Sequence, residues 1–140
     1  MLLKKEALRV IDANFNRAKE GLRVAEDIFR FVFEEDSLRK KARSLRHSLD
    51  IIAGEKIFKT AILSRGLGKD IGKSFDSLEA KRKNCPQILY INLQRVKESL
   101  RVLEEFFKIF LPSKVSEIKK IRYRVYSLEE KAVKKCLAKS

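Results

Sequence analysis

Asn14-Phe15-Asn16-Arg17-Ala18-Lys19-Glu20-Gly21-Leu22-Arg23-Val24-Ala25-Glu26-Asp27-Ile28-Phe29 returns, without a gap, as Asn92-Leu93-Gln94-Arg95-Val96-Lys97-Glu98-Ser99-Leu100-Arg101-Val102-Leu103-Glu104-Glu105-Phe106-Phe107. The offset is 78 residues, and nine of the sixteen positions are identical. The shared pattern is N-x-x-R-x-K-E-x-L-R-V-x-E-[DE]-x-F. In each copy the apolar residues fall at three- and four-residue steps, the period of an amphipathic helix. Two long helices with one pattern predict a duplicated helical hairpin with a pseudo-twofold axis, its halves about residues 1–63 and 76–140.

Outward from the repeat, nearly every segment keeps the helical period. The first helix is expected from about Leu2 to Glu34, with Leu8, Ile11, Phe15, Ala18, Leu22, Ala25, Ile28 and Phe29 on its apolar face. Asp36 is a candidate cap for a second helix carrying Leu38, Ala42, Leu45, Leu49 and Ile52, which stops at Gly54. Residues 57–63 fit a helix or a strand, and a short helix is expected near Ser77 to Lys83. Pro86 suits the first turn of the next long helix, about Gln87 to Phe110, and Pro112 ends it. Ser113 is a candidate cap for a last helix with Val115, Ile118, Ile121, Val125, Leu128 and Ala132 as its stripe. Long amphipathic helices on short connections predict an all-α bundle of about four to six helices in one domain, residues 1–140.

Composition narrows the chemistry. The chain has 140 residues, 33 Lys+Arg against 19 Asp+Glu, a formal net charge of +14, and is 44% hydrophobic. No apolar run is long enough to span a membrane, and the start, Met1-Leu2-Leu3-Lys4-Lys5-Glu6, has no signal-peptide core, so a cytoplasmic protein is expected. Two distant cysteines, Cys85 and Cys136, and one histidine, His47, do not make a zinc site. The charge by itself points to an anionic partner.

Within the repeat, two polar residues stand where apolar ones belong. On a helical wheel of about 100° per residue Asn14 lies mid-face and Arg17 about 60° away, and Asn92 and Arg95 repeat the placement. A polar group inside an apolar face costs about 1–3 kcal/mol unless hydrogen-bonded, so matched partners are required. Either these residues satisfy one another structurally, or they line a polar pocket where arginine binds an anion. Glu20, Arg23 and Asp27 point elsewhere, and surface ion pairs along the helix suit them. Arg122 and Glu129 on the last helix fit a core-edge pair better than a site. Gly66, Gly68 and Gly72, with Arg65, Lys69, Lys73 and Ser74, form a glycine-rich loop suited to an anion. Its spacing is not that of a P-loop, so a flexible loop or lid is expected.

The blocks Ile11 to Asp27, Leu45-Arg46-His47, Arg65 to Gly72, Asn92 to Glu105 and Ile121 to Glu129 span nearly the whole chain. Together the chain resembles the N-terminal helical domain of bifunctional thiamine-phosphate pyrophosphorylases, also described as hydroxymethylpyrimidine-phosphate kinases. The resemblance implies an all-α fold, thiamine biosynthesis, and ATP- and Mg²⁺-dependent phosphorylation of hydroxymethylpyrimidine phosphate to the diphosphate. Arg17, Arg95, Arg65 and Arg122 would hold phosphates. Asn14 and Asn92 would bind the pyrimidine or support the arginines, Gly72 would belong to the loop motif, and Glu20, Asp27 or Asp70 would carry the metal or act as base. The family loop reads Arg-Asp-Thr-x-x-Asp-x-Gly; here Gly66 and Leu67 replace the Asp and Thr. The barrel that performs the final condensation needs about 200 further residues. The alternatives are a non-catalytic helical module associated with a separate thiamine-phosphate pyrophosphorylase chain, and a basic RNA-binding bundle. Nucleic acid is disfavoured, because most Phe lie on apolar faces. The expected ligands are thus a small phosphorylated pyrimidine and a nucleotide, with a homodimer left open.

Overall fold

The computed structural model describes residues 2–54, 56–74 and 81–139. It contains five α-helices: α1 Leu2–Asp27, α2 Asp36–Ala53, α3 Lys56–Leu63, α4 Cys85–Phe110 and α5 Val115–Lys139. No strand occurs among the described residues, so the all-α expectation holds. The repeat copies lie on α1 and α4, which pack along one another and form the spine of the bundle. α2 and α3 pack on α1, α5 packs on α4, and α2 meets α5.

The predicted apolar stripes are the core. Leu38, Ala42, Leu45, Leu49 and Ile52 of α2 are all buried, as are Ile118, Ile121, Val125, Leu128 and Ala132 of α5. Phe15 and Val115 lie partly buried against them. Phe58 of α3 links the two halves, with its ring 4.6 Å from Phe15 and 5.5 Å from Phe107. The 57–63 segment is therefore helix.

Local chemistry corrects several boundaries. The first helix does not stay α-helical to Glu34: Ile28–Val32 form a π turn, closed by Phe33 N–H donating to the Ile28 carbonyl. Glu34 then takes φ +53°, the left-handed conformation that turns the chain out of the helix. Asp36 is not the cap of α2. Glu35 holds that position without a side-chain cap bond, and Asp36 instead bonds Arg39 and Lys40 from within the first turn. α4 starts earlier than expected, because Asn84 caps it by accepting from Gln87 N–H at 2.9 Å. Ser113 does not cap α5; it lies in a 3₁₀ turn, Pro112–Lys114, that runs directly into the helix. Of the short helix expected near 77–83, residues 77–80 lie outside the described residues and Lys81 to Lys83 are not helical.

Candidate functional site

α1 and α4 approach closely at Gly21. A Cβ there would stand 2.6 Å from Val96 Cγ2 and 3.0 Å from the Asn92 carbonyl oxygen. The matching position of the second copy is Ser99, also small and buried. Small residues here let the two backbones touch, and the longer side chains on either side flank a cleft.

That cleft, about 530 Å³, is lined by Asn14, Arg17, Glu20, Asn92, Arg95, Glu98, Ser99 and Val102. Three repeat positions appear twice: Asn14 with Asn92, Arg17 with Arg95, and Glu20 with Glu98. The asparagines are held alike. Asn14 Nδ2 donates to the Val10 carbonyl at 2.9 Å, and Asn92 Nδ2 donates to the Ile88 carbonyl at 2.8 Å. Each amide thus satisfies its donor within its own helix. The Asn14 Oδ1 accepts from Arg17 Nη1 at 3.5 Å, a long contact.

The other identical positions explain why Arg17 and Arg95 stand out. Lys19 pairs with Asp50 of α2, and Lys97 with Glu129 of α5. Arg23 pairs with Asp27, and Arg101 with Glu105. Glu26 holds Arg46 of α2, and Glu104 holds Arg122 of α5. By contrast, Arg17 and Arg95 form no ion pair among the described residues, and neither do Glu20 and Glu98. Two uncommitted arginines on one cleft suit phosphate, which a guanidinium binds through paired N–H donors.

A second compartment, about 790 Å³, adjoins the first and shares Asn14 and Arg17 with it. Arg65 is fixed there by the buried Asp12: Arg65 Nε–Asp12 Oδ2 is 2.5 Å and Nη2–Oδ1 is 2.9 Å. Bonding to that carboxylate raises the Arg65 pKa, so its charge is constant at any working pH. Arg9 Nε donates to the Arg65 carbonyl at 3.0 Å and ties the loop to α1 a second time. Gly66 follows at φ +54°, a conformation glycine adopts freely, and turns the chain so that Leu67 and Asp70 line the compartment. Asp70 Oδ1 accepts from Gly72 N–H at 2.9 Å, an Asx-type turn.

Of the residues singled out from sequence, Asn14, Arg17, Glu20, Asn92 and Arg95 share the first cleft, and Arg65 and Asp70 line the second with Asn14 and Arg17. Gly72 joins them only through its bond to Asp70. Asp27 lies elsewhere, paired with Arg23 at the end of α1. Arg122 also lies outside both compartments. Its guanidinium is buried against Glu104, donates to Tyr126 Oη at 3.1 Å, and has its pKa raised chiefly by the Glu104 bond. Glu129 accepts from Gln94 and Lys97, not from Arg122. Glu20, expected to point away from the asparagines, instead stands on the rim of their cleft. Sequence reasoning passed over Glu98, although the pattern repeats Glu20 there, and Asp12, which no local pattern marks. No group of three or more His, Cys, Asp or Glu among the described residues forms a ready metal site. No helix among them is long and apolar enough to cross a membrane.

Comparison with known proteins places this bundle. The chain is 38% identical over 122 residues to a thiamine-phosphate synthase of Synechocystis, covering 86% of this chain and 34% of the relative. It is 34% identical over 127 residues to one from Nostoc (strain PCC 7120), covering 91% and 35%. A third, from Synechococcus (strain CC9311), is 35% identical over 134 residues, covering 95% and 37%. This chain spans about a third of the length of the curated relatives it matches. No solved structure matches it. The class so defined is an all-α helical domain similar to about a third of the length of thiamine-phosphate synthases. The chain belongs to the ThiD2 family, which it matches over residues 9–131.

Proposed function

We propose that this chain serves thiamine biosynthesis as a helical module acting with a thiamine-phosphate synthase, and that its α1–α4 cleft holds a phosphorylated pyrimidine. The observation that carries the reading is the placement of Arg17 and Arg95. They come from matching repeat positions, face one cleft, and have no carboxylate partner among the described residues. The relatives named thiamine-phosphate synthase support the association with that activity.

One observation favours a second, catalytic reading: Glu20 and Glu98 share the cleft with the two arginines yet pair with neither. In that reading the chain phosphorylates hydroxymethylpyrimidine phosphate to the diphosphate at the expense of ATP. The acceptor is a phosphate oxygen, largely ionised at neutral pH because its second pKa is about 6, so the step requires no protein base. The protein's task is then positioning and charge neutralisation, as phosphoryl transfer generally requires. Mg²⁺ binds through one or two carboxylates plus phosphate oxygens and water, and two rim glutamates fit that donor set. Glu20 and Glu98 would hold the ion, which would neutralise charge on the transferred group.

Two measurements test the pair of readings. Binding of the pyrimidine monophosphate is expected in the wild type and weakened at least about tenfold by Arg17→Ala or Arg95→Ala, the loss of one charge-assisted contact. Unchanged affinity in both folded variants overturns the cleft assignment. Incubation with ATP and Mg²⁺ then separates module from kinase by the appearance of the diphosphate, and its absence with a binding-competent protein overturns the kinase reading.

A further inference from the structure

Arg46 and His47 of α2 take no part in the α1–α4 cleft or in the compartment beside it. They border a separate cavity of about 540 Å³, lined by Lys40, Arg43, Ser44, Arg46, His47 and Asp50, which shares no residue with the other two. Three of its charges are already matched. Lys40 pairs with Asp36 at 3.1 Å, Arg46 with Glu26 at 3.1 Å, and Asp50 with Lys19 at 2.5 Å. Arg43 and His47 are not matched: among the described residues neither forms an ion pair or a hydrogen bond. They stand four residues apart and are therefore neighbours on the helix surface. Arg124 reaches the same face from α5. Its Nη2 donates to Ser44 Oγ at 3.0 Å and its Nη1 to Ser48 Oγ at 3.2 Å, and no carboxylate among the described residues holds it.

Two hydrogen-bond donors are also left over. Ser44 Oγ accepts from Arg124, so its own hydroxyl hydrogen remains to be donated. Arg46 Nε is buried without a hydrogen-bond partner, although Glu26 engages Nη2 of the same guanidinium. Buried donors are nearly always bonded, so this one marks a place where a further acceptor belongs. We infer that the α2–α5 cavity is a second anion site, which takes a phosphate dianion either free or carried on a small molecule. A phosphate presents three acceptor oxygens and close to two charges. That suits two guanidinium groups with a hydroxyl between them better than the two oxygens and single charge of a carboxylate do. Arg43 and Arg124 neutralise the anion, Ser44 donates its hydroxyl, and His47 donates a ring N–H. This site does not depend on the phosphate assignment in the α1–α4 cleft. Its donors come from α2 in the first half of the chain and α5 in the second, so a bound anion ties the halves together away from the α1–α4 spine.

His47 is the only histidine of the chain, so its ring resonances report on this cavity without ambiguity. At fixed pH, inorganic phosphate is expected to move them along a saturating curve, and sodium chloride of matched ionic strength is not. Arg43→Gln and Arg124→Gln are each expected to weaken phosphate at least about fivefold, the loss of one charge-assisted contact. The Arg17→Ala, Arg95→Ala double variant is expected to leave the curve unchanged. Glycerol 3-phosphate separates the two sources: binding as tight as that of inorganic phosphate assigns the site to a phosphomonoester, and weaker binding assigns it to the free ion. A linear shift that chloride reproduces overturns the inference. So does unchanged affinity in both Arg43→Gln and Arg124→Gln. Loss of the His47 shift in the Arg17→Ala, Arg95→Ala protein overturns the separateness of the site and with it the inference, while leaving the cleft standing. Arg43 is exposed and holds no partner, so its variant is expected to fold. Ser44→Ala, with a smaller loss in the same direction, serves as the check.

Discussion

Glu26 and Glu104 occupy the same position of the two repeats, and each buries its carboxylate against an arginine of the helix that follows. Glu26 receives Arg46 Nη2 at 3.1 and 3.2 Å; Glu104 receives Arg122 through Nε and, at 3.2 Å, through Nη2. The pairs differ in burial: the Arg46 side chain is 22% exposed and that of Arg122 is 9%. Removing one partner of a buried pair leaves a charge without solvent or counter-ion, at about 3–5 kcal/mol. Glu104→Ala is therefore expected to lower Tm by roughly 10 °C or more in a chain of this size. Glu26→Ala is expected to lower it distinctly less, because water reaches Arg46. Replacing the second pair together, Glu104→Leu with Arg122→Met, should recover most of the loss. Equal losses for the two single variants in thermal melts would contradict the burial argument.

Gly21 makes a second prediction. Its Cβ site is occupied: Val96 Cγ2 stands 2.6 Å away and the Asn92 carbonyl oxygen 3.0 Å. Alanine forces α1 and α4 apart, an overpacking cost of about 1–3 kcal/mol, although alanine is the better helix former. Adding Val96→Ala should relieve the side-chain clash but not the carbonyl contact, and so restore only part of the stability. A Gly21→Ala protein at least as stable as wild type in urea denaturation would show that the helices do not meet here.

Much of this was legible in the sequence, for an identifiable reason. Hydrophobic period places Leu38, Leu45, Leu49, Ile118, Val125 and Leu128 in the core, because a helix can bury only one face. The repeat likewise marks Asn14 with Asn92 and Arg17 with Arg95, since polar residues on an apolar face need an explanation wherever they occur. What period cannot supply is the partner. Arg122 has the spacing of a polar residue facing the bundle, but its neutralisation by Glu104 depends on how α5 lies along α4. Glu20 and Glu98 face one cleft only because Gly21 lets the helices touch. Caps fail for a related reason: Asp36 and Ser113 have suitable side chains, yet the backbone enters the helix at Glu35 and through a 3₁₀ turn.

Acid should weaken two surface pairs in a defined direction. Hydrogen bonds from Arg39 and Lys40 hold the Asp36 carboxyl below its ordinary pKa, and a bond from Lys108 does the same for Glu105. A depressed folded-state pKa means the unfolded chain takes up protons first as pH falls. The stabilisation is thus complete above the ordinary carboxylate range and is lost as pH drops through the folded-state values. Tm measured from pH 6 to pH 2.5 should fall less steeply for the Asp36→Asn, Glu105→Gln double variant than for wild type. High salt should narrow the difference, since both pairs are exposed. Parallel curves at low salt would mean that neither pair contributes.

Asp12 offers the test of how the glycine loop is held. Its two oxygens clamp Arg65, and Asn16 Nδ2 donates to Oδ1 at 3.2 Å, so the carboxylate is a junction between α1 and the loop. The pair raises the Arg65 pKa, which means the charged forms favour each other across the working range. Asp12→Asn keeps the shape, removes the charge and one acceptor, and costs about 1–3 kcal/mol of charge-assisted bonding. Arg9 Nε still holds the Arg65 carbonyl, so the loop start should loosen without detaching. Limited trypsin digestion is then expected to cut faster after Lys69 and Lys73 in the variant, while the rate elsewhere follows its small change in global stability. Restoring the charge with Asp12→Glu should recover part of the protection. Identical cleavage rates at Lys69 and Lys73 in wild type and Asp12→Asn would show that the loop is placed by its own turn geometry and not by the clamp.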